Sequence, residues 1–215
     1  MLTEEGCRRR SERLFMELPE EVEWVVVADP RHVNYFSAFF VNPISFSASE
    51  RALLVLERSG KATLIADNFT RRAAGTEPFV DDDVTGKWYD HRRSVENRDH
   101  FLFQMLRNFV REFSSPKQGR GLLELEWLPV EAAQVAKLDT SVQSESLGSV
   151  IRSLRRQKES DEIVLLEQCM RACEAGHATA LDVVGPEATE LDVYRAVQSS
   201  AVASAGRPAI VYGDF

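Results

Sequence analysis

The stretch Trp24-Val25-Val26-Val27-Ala28-Asp29-Pro30-Arg31-His32-Val33-Asn34-Tyr35-Phe36 decides the fold class. Its β-branched run over 24–27 reads as a buried strand, because side chains branched at Cβ fit a pleated, packed surface. Asp29 can cap a helix whose first position is Pro30, where the missing N–H costs nothing, so 31–36 reads as a short helix. A strand that runs directly into a capped helix is the building unit of an α/β sheet.

The same alternation continues outward in both directions. Residues 3–17 can form a helix whose apolar Leu14 and Phe15 come late. Downstream, 52–56 and 62–66 flank Ser59-Gly60 and read as a hairpin. Asp67 then caps a helix that stops near Gly75. The stretch 79–84 reads as an edge strand, in which three aspartates leave Phe79 and Val84 as the apolar positions. A helix is expected over 97–113, where Phe101, Met105, Phe109 and Phe113 recur every four residues beside Leu102, Leu106 and Val110. So wide an apolar stripe must cover a sheet. A strand over 122–125, a helix from Pro129 through Leu138 and a short strand over 140–142 complete the series. The expectation is an α/β domain over 1–148, with a mixed sheet and helices on its faces.

Beyond 148 the texture changes. Two helical stretches occupy 151–181 with no strand between them, and 189–205 reads as a third helix. Thr189 with Asp192 makes a near capping box at its start, and Gly206 before Pro208 stops it. Residues 209–212 read as the start of a strand that Gly213 turns. A strand edge left unpaired is an aggregation hazard. The region 149–215 is therefore expected to be the opening of a second domain, truncated or pairing with something absent.

Composition narrows the classes. The chain has 215 residues, 44% of them hydrophobic, which excludes a wholly disordered polymer. A domain of this size can bury a sufficient core without disulfides or metal. Its three cysteines, Cys7, Cys169 and Cys173, form an odd set in no secreted-scaffold spacing, as expected for a reducing compartment. The first residues contain no apolar signal-peptide core, and no apolar run is long enough to span a bilayer. A cytoplasmic protein with no membrane partner is expected, and the Asn68-Phe69-Thr70 sequon is then a chance match. A net charge of −8 argues against nucleic acid as a partner. The basic clusters Arg8-Arg9-Arg10 and 152–158 read as solvated faces.

Two sets of potential ligands stand out. Cys169, Cys173 and His177 fall at i, i+4 and i+8 on one helical face and could bind a soft metal. Ile163, Leu166, Met170 and Leu181 share that face, so the favoured reading makes the cysteines small core residues. The second set is Asp81, Asp82, Asp83, Asp90, His91, Asp99 and His100. Strand alternation points at most two of the tripeptide's carboxylates one way, and solvation with helix N-terminal charge accounts for the rest. No phosphate-binding glycine loop, His-Glu-x-x-His or Gly-x-Ser-x-Gly is present.

A family resemblance rests on four stretches in order. Arg155-Arg156-Gln157-Lys158-Glu159-Ser160-Asp161-Glu162-Ile163 resembles the Arg-x-x-Lys-x-x-x-Glu-Ile junction of the creatinase, prolidase and Xaa-Pro aminopeptidase family. Pro186-Glu187-Ala188-Thr189-Glu190-Leu191 is similar to that family's Pro-Gly-x-Thr-Glu segment, with Glu187 at the glycine. Arg31-His32-Val33-Asn34-Tyr35-Phe36-Ser37-Ala38-Phe39 resembles its Asn-x-x-Tyr-Leu-Thr-Gly-Phe stretch, and 52–67 its following hairpin.

The resemblance implies a creatinase/prolidase-type N-terminal domain followed by the first helices of an incomplete pita-bread α+β domain. It implies metal-dependent hydrolysis of the bond preceding proline in a peptide. Two divalent ions, manganese, cobalt or zinc, would sit on two aspartates, a histidine and two glutamates. None of these ligands can be assigned to this sequence, since Asp214 comes too early to be the first, so the chain alone is expected to be inactive. Relatives imply a homodimer whose first domain reaches the partner's active site. The loop over 41–49, with Asn42 and Phe46, is then a candidate substrate contact. So is Trp88-Tyr89-Asp90-His91-Arg92-Arg93, with His91 and Arg92 to the fore, since aromatics beside arginine mark recognition surfaces. The alternatives are an inactive peptide- or protein-binding module and a creatinase-like amidinohydrolase.

Overall fold

The computed structural model describes residues 1–41, 50–74, 77–111, 120–136 and 146–211. The expected strand over 140–142, the candidate residues Asn42 and Phe46, and Phe113 lie outside them. The chain forms two compact units, Leu2–Gln157 and Lys158–Phe215, the latter joined by Met1.

In the first unit, helix α1 (Glu4–Glu17) starts where the Thr3 hydroxyl accepts the Gly6 N–H. Strand β1 (Val22–Val27) leads into α2 (Pro30–Ser37), capped by Asp29 with Pro30 in its first turn. Strands β2 (Ala52–Glu57) and β3 (Ala62–Asp67) form the antiparallel hairpin, turning at Gly60 with φ +93°. Asp67 caps α3 (Asn68–Ala73) through the N–H groups of Phe69 and Thr70. There follow β4 (Asp82–Gly86), α4 (Arg98–Val110), β5 (Arg120–Leu123), α5 (Val130–Ala136) and α6 (Leu147–Leu154).

The five strands make one mixed sheet in the order β4-β3-β2-β1-β5. Pairing of β1 with β2 and of β2 with β3 is antiparallel, while β4 and β5 run parallel to β3 and β1 at the two edges. Alternation sends Val25, Val27, Leu54 and Leu64 into one core with Leu14, Phe36 and Ile151. Trp24, Val26, Leu53 and Ile65 enter the other with Leu102, Leu106 and Ala132. Helices thus cover both faces, as expected. Gly121 on β5 lies under the Trp24 indole, where any Cβ would fall inside the ring.

Several expectations need correction. The edge strand runs over Asp82–Gly86 rather than 79–84, because its aspartates are paired rather than tucked inward. Asp81 lies just before the strand, and its Oδ2 accepts the Ala62 N–H at 2.8 Å. Lys61 meets Asp82 at 2.7 Å, and Arg71 meets Asp83. On α4 the buried apolar residues are Leu102, Phe103, Leu106 and Val110, while Phe101, Met105 and Phe109 are only half-buried. The stripe that meets the sheet is therefore rotated from the phenylalanine row. Strand β5 ends at Leu123, and Leu125 is exposed. Helix α6, placed by sequence after the change in texture, contributes Ile151 and Leu154 to the first unit's core.

In the second unit, α7 (Ser160–Val183) and α8 (Glu190–Ala205) form a helical hairpin. Both start in capping boxes, Glu159 with Glu162 and Thr189 with Asp192, and α8 ends on Gly206 with φ +65°. Ser200 bonds the Ala175 carbonyl and Ser204 that of Arg171, which fixes the helices antiparallel. Gly176 lets α8 approach at Val197 and Ala201. The expected strand over 209–212 is not formed at 209–211, where no described strand pairs with it.

Candidate functional site

A platform of aromatic and basic side chains rises from the end of β3. At its base the carboxylate of Asp67, 1% exposed, accepts Arg98 Nε at 2.8 Å and Nη2 at 3.0 Å. Arg98 also donates to Thr70 Oγ1 at 2.9 Å. Burial alone would push the Asp67 carboxyl up; the bonds from Arg98 and from the Thr70 and Phe69 N–H groups outweigh it and hold the pKa below its ordinary value. The Arg98 guanidinium lies over the Trp88 ring, 4.6 Å from its centroid. Trp88 and Tyr89 meet Phe69 edge-on at 5.3 and 5.5 Å, and Tyr89 meets His91 at 5.2 Å. Such contacts are attractive because ring edges are positive and ring faces negative.

The segment 88–95 above this base is a tight turn. Asp90 N–H bonds the Arg93 carbonyl, and Val95 N–H bonds that of Trp88. The Asp90 carboxylate accepts the N–H groups of Arg92 and Arg93 and meets Lys87 at 2.9 Å. Those contacts, Lys87 foremost, hold its pKa below the ordinary value. His91 adopts φ +70°, a left-handed conformation that costs a non-glycine residue about 1–3 kcal/mol. The Asn68 side chain ties the turn down, accepting Trp88 N–H and donating to the Tyr89 carbonyl, both at 2.9 Å. His91, Arg92 and Arg93 are thus exposed on a braced base. The turn can offer cationic and aromatic groups to an anionic or apolar ligand.

The structure separates the acidic residues that sequence grouped near this turn. Asp99 pairs with Arg51 at 3.3 Å, and His100 lies 3.5 Å from Glu131. Sequence missed a different cluster. Asp29, His32 and Glu124, all buried, are the one group of three or more potential metal ligands brought together among the described residues. Glu124 Oε2 accepts the N–H groups of Ala28 and Asp29 at 2.8 Å, and Oε1 lies 2.5 Å from His32 Nδ1. Burial tends to raise the Asp29 carboxyl, but bonds from the Arg31 side chain and backbone, with the influence of His32, leave its pKa lowered. The only hint in sequence is a glutamate inside the apolar run Leu122-Leu123-Glu124-Leu125.

The chain is similar to an Xaa-Pro dipeptidase from Bacillus anthracis, with a TM-score of 0.63 and 15% identity, over 91% of this chain and 48% of that one. The fold is that of the prolidases. A prolidase from Pyrococcus furiosus aligns with a TM-score of 0.54 and 17% identity, over 90% of this chain and 48% of that one. A dipeptidase from Mycobacterium ulcerans aligns with 0.56 and 18%, over 94% of this chain and 51% of that one. The chain therefore spans about half the length of these prolidase-fold neighbours. No protein-family model matches the chain, and no curated protein matches its sequence.

The prolidase resemblance implies a pair of divalent metal ions, and the Asp29–His32–Glu124 cluster does not fit one. Two ligand atoms on a single ion sit about 3 Å or more apart, given bonds of about 2.0–2.2 Å. The 2.5 Å between His32 Nδ1 and Glu124 Oε1 is a hydrogen-bond contact instead. The other Glu124 oxygen is taken by two backbone donors, and Arg31 closes on Asp29 at 2.6 Å. The cluster is a latch holding the start of α2 to the residue that follows β5. Asn68, the sequon residue, is likewise committed to structural bonds.

Proposed function

We propose that this chain is the N-terminal part of a metal-dependent Xaa-Pro peptidase that cleaves the bond preceding proline. The observation that carries this reading is the prolidase fold over 90% or more of the chain, matched to about half of each neighbour. In the proposal, 1–148 is the N-terminal domain and 149–215 comprises a linker helix, which α6 supplies, and the beginning of the catalytic domain. Two divalent ions, manganese, cobalt or zinc, are held by residues outside this chain, where they activate water for attack on the peptide carbonyl.

The first domain then contributes recognition. In a homodimer, the turn over 88–95 offers His91 and Arg92, and the loop over 41–49 offers Asn42 and Phe46, to a proline-containing peptide in the partner's site. The braced base under His91 supports this role, because a group that orients substrate must not move with it. A cytoplasmic setting accords with three cysteines that form no disulfide; separately, no helix among the described residues is long and apolar enough to cross a membrane.

The test uses both this chain and the product of the whole gene. The chain alone with added manganese or cobalt is expected to release no amino acid from an Xaa-Pro dipeptide above a metal-only blank. The whole product should hydrolyse it, and Arg92→Glu should raise KM with little change in kcat. Hydrolysis by the chain alone, or binding without hydrolysis by the whole product, overturns the reading; the second outcome leaves a binding module.

A further inference from the structure

Cys169, Cys173 and His177 do not lie in a core: both thiols and the imidazole are exposed. So are their apolar neighbours on α7, with Ile163 and Leu166 each 47% exposed, Met170 70% and Leu181 82%, and Val184, at the end of the helix, 65%. The reading of this face as core packing therefore fails, and an apolar stripe stands in water. At about 100° per residue, Ile163, Leu166, Met170, His177, Leu181 and Val184 fall within about 60° of one another around the helix. Helix α8 meets α7 on a different side, through Gly176 and the carbonyls of Arg171 and Ala175. A contiguous exposed stripe of this kind marks an interaction surface.

We propose that the stripe binds a second copy of this chain, α7 against α7, antiparallel and related by a two-fold axis. The spacing selects this occupant. From Ile163 the stripe steps by three and then four residues to Leu166 and Met170; from Val184 it steps back by three and then four to Leu181 and His177. It reads alike from both ends, as a surface must if a two-fold axis is to pair it with itself. Ile163 then faces the partner's Val184, Leu166 the partner's Leu181 and Met170 the partner's His177. Each such pair sets its two side chains on opposite sides of the seam, so they interlock as knobs and holes. The axis passes between Cys173 and Glu174, which flank the stripe on opposite sides. Each Cys173 therefore meets the partner's Cys173, and each Glu174 the partner's Glu174.

Size and charge set the strength. The stripe is about 32 Å long, at about 1.5 Å per residue, and about 10 Å wide. So small a face stands at the low end of protein interfaces, and association in the micromolar range is expected. The facing Glu174 carboxylates oppose it, because like charges across a seam repel.

Sedimentation equilibrium of the whole chain, with thiols reduced, is expected to show a monomer–dimer equilibrium half complete at roughly 10–100 µM. Leu166→Glu and Leu181→Glu should each abolish it, whereas Val164→Glu, at a position 48% exposed on the same helix but off the stripe, should not. Glu174→Gln should tighten it by about twofold or more. Oxidised glutathione, reduced to two thiols as two Cys173 thiols join, should trap the dimer in the wild type and in Cys169→Ser but not in Cys173→Ser. Helical circular dichroism should be unchanged in every variant, since all the substituted side chains are exposed. The assay reads mass alone, so its outcome is independent of peptidase activity. A chain still monomeric at about 300 µM leaves the stripe to another kind of partner and overturns the proposal. So does a dimer that survives both leucine substitutions, a cross-link through Cys169, weaker association in Glu174→Gln, or association that runs on past two copies.

Discussion

Replacing Arg98 by methionine removes the keystone under the 88–95 turn and leaves the Asp67 carboxylate buried without its cation. Breaking a buried pair from one side costs about 3–5 kcal/mol. Asp67 keeps the Phe69 N–H, the Thr70 N–H and the Thr70 hydroxyl, so the lower end, about 3 kcal/mol, is expected. Domains of this size are stable by about 5–15 kcal/mol, so the first unit stays folded. With a urea slope of about 1–3 kcal/mol/M, the midpoint should fall by about 1–3 M. Amide exchange should rise in the turn before it rises in β1 or β2.

The pH dependence carries the sharper test of the same substitution. In the wild type the lowered Asp67 pKa contributes stability that is present above the unfolded carboxyl value of about 3.9. That stability is lost as pH falls through the lower folded value. In Arg98→Met burial is opposed only by the local donors, and the carboxyl should rise above its unfolded value. The sign of this contribution then reverses, and acidification from neutrality should recover stability in the variant. A loss under about 1 kcal/mol, the range of an exposed pair, or an acid limb parallel to that of the wild type refutes the reasoning.

Three further substitutions test other parts of the fold. Gly121→Ala drives a methyl into the Trp24 indole and should cost about 1–3 kcal/mol in urea unfolding; an unchanged midpoint would show that the ring shifts freely. Glu124→Gln cannot satisfy both the Ala28 and Asp29 N–H groups and the His32 ring as before. It should lower stability by about 1–3 kcal/mol with the urea slope unchanged, and a neutral effect would remove the latch. Ala38 caps α2 with φ +57°, and the motif that 31–39 resembles has glycine at that place. Ala38→Gly relieves about 1–2 kcal/mol of left-handed strain against about 0.4–1 kcal/mol of unfolded-chain entropy, so thermal unfolding should move up slightly, and a fall would contradict the strain.

The elements legible in sequence are those that short-range chemistry dictates. Asp29 before Pro30, Asp67 before α3 and Thr189 with Asp192 all cap helices as their residue types require. The hairpin closes at Gly60 because only a residue free of Cβ takes φ +93° without strain. The weak strand near the three aspartates was misplaced because its partners come from elsewhere: Arg8 on α1, Lys61 beside β3 and Arg71 on α3. The phenylalanine row of α4 misled in a similar way. Both it and the Leu102 row are apolar, and only the tilt of the helix on the sheet chooses between them.

Charge clusters follow the same division between near and distant neighbours. Asp67 meets Arg98 across 31 positions and His32 meets Glu124 across 92, so no window of sequence holds either pair. The parallel pairing of β1 with β5 sets Leu123 beside Val26, and the next residue, Glu124, then reaches the start of α2. A carboxylate just past the end of an apolar strand thus accepts the Ala28 and Asp29 N–H groups of the turn that leads into α2. Because the parallel pairing puts Glu124 there, β5 and α2 are locked by one side chain. The braced turn over 88–95 arises by the same logic at the opposite edge, where Asp67 ends β3 and caps α3. Two strand-end carboxylates, each serving a helix and a distant cation or imidazole, therefore fix both flanks of the sheet, and Asp67 is the one that also braces the exposed turn of His91, Arg92 and Arg93.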